Sequence, residues 1–342
     1  MNQEFFFRTA GRYLVQSLRL TLCVVALCIL QDCGCGADTE STRCVELRAS
    51  LRIQGLANRQ VRIWVPVPQS SSFQTATQMV RHASLPLKIT TEQHYGNQML
   101  FGEGTIIDPE GLDFEFLWTV CRRQAGSDVS ARGGVLPDAE RTIWLEGSPK
   151  IPIGGKPVEL IDASKLPEEP CDKARLFYDR VLDHMRYDKS RPGYGTGDAV
   201  WACDSRFGNC TDFHSLFMSL ARSHDIPARF EIGYPLMPDK VQGEIRGYHC
   251  WAWFHDEKQG WVPVDISEAD KRPELTEYYF GNLSVHRIAF SVGRNIELEP
   301  SQQGPALNYF VKPYVEVDGR PVEDSHVEFS LSFQNIGVGE LD

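Results

Sequence analysis

The apolar period of this chain changes partway along it, and that change restricts the fold more than any other feature of the sequence. Between residues 45 and 67 the side chains alternate. Val45, Leu47 and Leu51 fall toward one face, and Val61, Ile63, Val65 and Val67 repeat at period two, the spacing of strands with one buried face. Strand-like runs continue at Met99–Phe101, Leu112–Val120 and Thr142–Leu145, with turn-rich pieces such as Asp108-Pro109-Glu110-Gly111 and Gly133-Gly134 between them. From Cys171 onward the spacing is helical, carried by Ala174, Phe177, Val181, His184 and Met185.

Strands first and mixed elements afterwards predict an α+β protein. We expect an all-β, sandwich-like domain at residues 38–150, a Pro- and Gly-containing surface linker at 151–170, a mixed core at 171–298 and a β extension at 299–342. Asp318-Gly319 signals a hairpin in that extension, which could pack on either domain. The 342 residues, 42% of them hydrophobic, are enough for two modest cores.

Residues 1–37 read as a leader. Arg8, Arg12 and Arg19 precede an apolar run from Leu20 to Leu30, and small residues follow at Cys35, Gly36 and Ala37, the layout of a secretory signal peptide. The run is about half the ~20 residues that a membrane-spanning helix needs. The mature chain is therefore expected to be exported, periplasmic or extracellular, with no integral span. Lipid attachment at Cys33 or Cys35 is the lesser alternative, since Asp32 places a charge where a lipoprotein signal has small residues.

The formal net charge is −11, and removal of the leader, with three arginines against Glu4 and Asp32, leaves −12. Such a surface repels phosphate backbones, and no basic cluster offsets it, so nucleic acid is excluded as a partner. Six of the ten cysteines lie beyond the leader: Cys44, Cys121, Cys171, Cys203, Cys210 and Cys250. Export permits disulfides among them. Chain position suggests Cys44 with Cys121, and Cys203 with Cys250.

Three segments carry chemistry. In Gly208-Asn209-Cys210-Thr211-Asp212-Phe213-His214 the cysteine opens a helix marked by Phe213, Leu216, Phe217 and Leu220. Free N–H groups and the positive end of the helix dipole favour thiolate there. Tyr248-His249-Cys250-Trp251-Ala252-Trp253-Phe254 and Gly260-Trp261-Val262-Pro263-Val264-Asp265 read as a β-hairpin. If His255–Gln259 is a five-residue loop, Phe254 faces Gly260 and His249 faces Asp265. A one-residue change would put Cys250 there instead.

Each of these residues has an ordinary explanation when taken alone. Buried free cysteines are common, a histidine among aromatic residues can be core, and an aspartate can end a strand. A helix-start cysteine together with a cross-strand His–Asp pair is what cysteine nucleophile, base and orienting acid require. Cys203, Cys210, His214, His249 and Cys250 are zinc-type residues, yet the Cys203–Cys210 spacing is not that of common zinc motifs. The glycine-rich loop Pro192–Gly197 lacks the strand and the Lys-Ser/Thr of a phosphate cradle. It reads as a loop beside a site.

In this order the three segments resemble the three motifs of the transglutaminase-like superfamily, over about residues 170–300. The resemblance implies a papain-like α+β core, a helix carrying the cysteine packed on an antiparallel sheet, with nucleophile Cys210, base His249 and orienter Asp265. It further implies acyl transfer at a protein or peptide amide through a thioester, resolved by water or a lysine amine; no cofactor or metal is expected from the residue spacing. Trp201, Asn209 and the Cys210 N–H are candidates to hold the oxyanion. The calcium sites of animal cross-linking enzymes do not carry over, because no acidic loop has the ligand spacing. Because the family also contains inactive relatives, a non-catalytic binding module at the cell envelope is the competing expectation.

Overall fold

The computed structural model describes residues 42–126 and 133–337; the expected leader lies outside the described residues. Among the described residues, no helix is long and apolar enough to cross a membrane. The described chain forms one compact unit in which an N-terminal β sandwich and a mixed α/β core share a continuous apolar interior.

Period-two alternation builds the sandwich. Along Thr42–Ile53 the inward residues Val45, Leu47, Ala49, Leu51 and Ile53 are buried. On Leu112–Arg123, which pairs with it antiparallel, Phe114, Phe116 and Trp118 stack on one face, with ring centroids 6.3 and 5.6 Å apart. Two five-stranded antiparallel sheets result. One runs in the order Gln242–Glu244, Val327–Asn335, Thr42–Ile53, Leu112–Arg123, Gln74–Ala83. The other runs Arg320–Pro321, Tyr314–Val317, Gln60–Pro66, Gln98–Thr105, Leu87–Thr91.

The C-terminal strands complete both of these sheets. Val327–Asn335 pairs along Thr42–Ile53, and Tyr314–Val317 pairs with Gln60–Pro66. Asp318-Gly319 forms the turn between Val317 and Arg320, with φ of 47° and 73°, a conformation that suits these two residue types. Cys44 and Cys121 face each other in the β register and are joined as a disulfide, as their chain positions suggested.

The second half carries a four-stranded antiparallel sheet in the order Gly260–Val264, His249–Asp256, Ala228–Pro235, Arg287–Val292. Helix Cys210–Ser223 packs on it with every residue from Cys210 to Arg222 buried. Full burial of Phe213, Leu216, Phe217 and Leu220 stabilises the core by about 1.5–3 kcal/mol for each side chain. The polar residues of this helix are hydrogen-bonded in place: Ser215 Oγ donates to Thr211 O at 2.7 Å and Ser219 Oγ to Pro152 O at 2.6 Å. That second bond, with Gly154 N–H donating to Ser223 Oγ at 2.7 Å, ties the 151–170 stretch down. Residues 156–160 and 163–165 there are short 3-10 turns.

One expected strand is a helix. Thr142–Leu145 belongs to helix Asp138–Leu145, which follows Pro137 and has Asp138 and Glu140 in its first turn. Acidic residues at that end suit the helix dipole, and a four-residue apolar run is too short to reveal its period.

Candidate active site

Cys210 is placed by the cap of its own helix. Asn209 Oδ1 accepts from Thr211 N–H at 2.9 Å, and Asp212 reaches back to Asn209 N–H at 2.9 Å, a reciprocal capping box. The same Asp212 carboxylate accepts from Gly195 N–H at 2.6 Å and Gly197 N–H at 2.8 Å. The glycine-rich loop is thereby fastened to the first turn of the Cys210 helix. Its other side is held by buried Arg294, which donates to Gly197 O at 2.8 Å and Ser215 Oγ at 2.6 Å. Gly197 is at φ 60°, where an added Cβ would lie 2.5 Å from Thr211, so the close approach needs glycine.

The hairpin is tighter than its sequence suggested. The expected five-residue loop His255–Gln259 is wrong, because His255 and Asp256 belong to the strand and Asp256 pairs with Gly260. Asp256 Oδ1 accepts from Lys258 N–H and Gln259 N–H, both at 2.9 Å, and Gly260 is at φ 78°. An aspartate-capped turn with a left-handed glycine closes the ribbon earlier. The register therefore differs by two residues, which leaves every side chain on its expected face.

Pairing ends at Ala252 and Val264, so His249 and Asp265 are diagonal neighbours rather than opposed residues. Asp265 leaves the strand to cap helix Ile266–Lys271, with Oδ1 accepting from Glu268 N–H at 3.2 Å. Its Oδ2 meets His249 Nε2 at 2.7 Å. The His249 side chain in turn neighbours the Cys210 thiol, and each shifts the other's proton affinity. The structure brings together the three residues singled out in the sequence, and they are 1%, 5% and 0% exposed for Cys210, His249 and Asp265.

Their charges support one another. The Cys210 thiol is held well below its ordinary range by the neighbouring Cys250 thiol, against the effect of burial, and by the His249 ring and its charge. Burial pushes His249 down, but the Asp265 carboxylate outweighs it, and the ring is raised to about 9. Burial likewise opposes ionisation of Asp265, yet His249 and Arg287 hold it far below the carboxylate range. At neutral pH the arrangement is thiolate, imidazolium and carboxylate.

Residues 160–266 match the family model of the transglutaminase-like superfamily, a stretch that ends one residue past Asp265. Residues 160–266 are a transglutaminase-like domain. A candidate cysteine protease from Cytophaga hutchinsonii shares the fold over 86% of this chain and 98% of its own, with TM-score 0.53 and 14% identity. The periplasmic domain of TgpA from Pseudomonas aeruginosa, solved with ethylmercury bound, covers 68% of this chain and 93% of its own at TM-score 0.39 and 18% identity. An uncharacterized protein of Haemophilus influenzae is 27% identical, over 77% of this chain and 82% of its own.

Within the transglutaminase-like domain, the expected Cys203–Cys250 disulfide is absent, and both thiols are free. Cys203 lies on another helix near Lys156 O, whereas Cys250 faces the Cys210 helix, 3.9 Å from Thr211 Oγ1 and 3.7 Å from His214 Nδ1. His214 Nε2 accepts from Ile266 N–H at 3.1 Å, which puts the ring proton on Nδ1, toward Cys250. Among the described residues, no group of three or more His, Cys, Asp or Glu converges as a metal would require. Trp201 packs edge-on against Phe207 and beside Gly193. Asn209 is occupied by its cap, with Nδ2 3.4 Å from Tyr248 Oη.

Sequence reasoning missed three contributors. Arg287, on the outer strand of the sheet, sits 3.4 Å from Asp265 Oδ2. Cys250 neighbours the nucleophile candidate and helps to lower its thiol. Asp212 anchors the glycine loop. Only Asp212 had a local signal, the Asn-x-x-Asp spacing of a capping box. A cleft of about 580 Å³ borders His249, with Tyr187 and Tyr248 on its walls.

Proposed function

We propose that this chain is an exported cysteine enzyme that transfers the acyl group of an amide through a thioester on Cys210, with His249 as base and acid and Asp265 as its orienting partner. The observation that carries this is the His249 ring, fixed by Asp265 at 2.7 Å on Nε2, with Cys210 as its other neighbour. A carboxylate in that position sets the tautomer and steadies the imidazolium. Export is supported by the leader pattern and by the Cys44–Cys121 disulfide, since such bonds persist in oxidising compartments.

In the first half-reaction the Cys210 thiolate adds to the amide carbonyl carbon. The carbonyl oxygen becomes an oxyanion, for which the Cys210 N–H at the helix start is the assigned donor. The C–N bond then breaks as His249 gives its proton to the departing nitrogen, leaving a thioester and a neutral ring. Water or an amine next attacks the thioester while His249 takes its proton. Cleavage of the C–S bond restores thiolate and imidazolium.

The test is a panel of glutamine-containing and other peptide amides, assayed with and without an amine acceptor, for wild type and Cys210→Ala. Ammonia or amine release that disappears in the variant is the expected result, and its dependence on acceptor separates transfer from hydrolysis. Turnover that survives in Cys210→Ala would refute the proposal.

A further inference from the structure

We propose that the cleft beside His249 selects amide substrates that carry a negative charge close to the acyl group, an inference that rests on Cys210 being the nucleophile. The cleft is lined by the cations Lys271, Arg272 and Arg287, and Glu268 is its one carboxylate among the described residues. Glu268 is already engaged, 2.7 Å from Lys271 Nζ and 3.7 Å from Arg287. His286, which also faces the cleft, is pushed down to about 4 by burial and by the nearby charges of Arg43 and Arg287, so it is neutral. The two negative charges of the Cys210 thiolate and Asp265 face the two positive charges of His249 and Arg287.

With Lys271 against Glu268 and Arg287 3.4 Å from Asp265, Arg272 is the cation of the lining left to attract an anion, since its own partner, Glu274 at 3.6 Å, is solvent-exposed and stands outside the cleft, in a chain whose formal net charge is −11. An anion repelled elsewhere on the surface finds a local well there. Arg287 lines the well too, but it is only 8% exposed and already 3.4 Å from Asp265 Oδ2. The more open Arg272 guanidinium is the one whose planar fork a carboxylate in the cleft can match. Flanking Tyr187, Tyr278 and Tyr279 lower the local dielectric, which strengthens the attraction. A free carboxylate, as on a glutamate side chain or a chain terminus next to the reacting amide, is the group that fits.

The test uses two alkylating probes of similar size, anionic iodoacetate and neutral iodoacetamide, reacting with Cys210 in the full chain. The expected ratio of iodoacetate to iodoacetamide rates falls at least about 10-fold in Arg272→Glu, and falls also in wild type as salt rises to about 1 M. In parallel, Cys210→Ala should bind a glutaminyl peptide flanked by glutamate more tightly than its alanine or lysine counterpart. The salt series needs no variant, and a melting curve checks that Arg272→Glu is folded. If both probes modify Cys210 with a ratio insensitive to salt and to Arg272→Glu, the charge selection is overturned while the nucleophile stands. If neither probe reacts at Cys210, the nucleophile itself is overturned, and this inference with it.

Discussion

Cysteines meet twice in this molecule, with opposite results. In the sandwich, Cys44 and Cys121 lie on directly opposed strand positions with Cα atoms 4.0 Å apart, and they are bonded. In the mixed core, Cys210 and Cys250 are neighbours that stay free thiols. The first pair has been a matter of register alone. The second joins a helix start to a strand and is surrounded by His249, His214 and the Asp265 carboxylate behind them. Those neighbours divide the protons unequally, lowering Cys210 and, through burial and the adjacent thiolate, raising Cys250. Proximity brings two sulfurs together, and the charges around them decide what they do.

The largest effect that tests this contrast is loss of the low-pKa partner. Cys210→Ala should lower kcat/KM by about 10⁴-fold or more, while the thermal melting point moves little and the Cys44–Cys121 bond stays formed. Equal loss from Cys250→Ala, with Cys210→Ala active, would reverse the assignment of the two sulfurs.

Next comes the carboxylate that steadies the ring. Asp265→Asn should cost about 10³–10⁴-fold in kcat/KM and shift the pH profile. In wild type His249 is raised to about 9 by Asp265, so its imidazolium and the stability that goes with it are complete below the ordinary histidine range and are lost as pH passes about 9. The alkaline limb of kcat/KM should sit there, and it should move to lower pH in Asp265→Asn. A limb that stays in place would mean that the carboxylate does not govern the ring.

The sandwich pair should behave in the reverse manner. Replacing both Cys44 and Cys121 by serine frees a loop with sequence separation 77, which should lower unfolding stability by about 2–4 kcal/mol in a urea titration. Activity at low temperature should be retained. Comparable loss of activity and stability together would tie the two regions more closely than their separate chemistry suggests.

How far each region was legible in the sequence follows the same division. Val45, Leu47 and Leu51 announce a strand because each reports its own burial, and alternation needs no distant partner. Cys210, His249 and Asp265 were legible because two lie on one short ribbon and the third opens a capped helix. The register was misjudged by two residues, since the turn is closed by the Asp256 side chain and Gly260 rather than by loop length. The sites of Arg287 and Cys250 depend on tertiary contacts, which no local spacing encodes. The Thr142–Leu145 error has the same origin, because Trp144 is buried against other rings rather than in a sheet.

Cys250 supplies the smallest and sharpest test. Its neighbouring thiol is the leading influence that lowers the Cys210 thiol, ahead of the opposing burial and of His249. Cys250→Ala removes that thiol but keeps His249 and Asp265, so the thiolate should survive at neutral pH and become scarcer in acid. On the acid limb, alkylation of Cys210 by iodoacetamide should slow by about 10-fold, the worth of one hydrogen bond to a charged group, while the plateau rate stays within a few-fold. An acid limb unchanged in Cys250→Ala would assign the thiolate to His249 alone. Cys250 would then be packing, and the contrast between the two cysteine pairs would reduce to one of geometry.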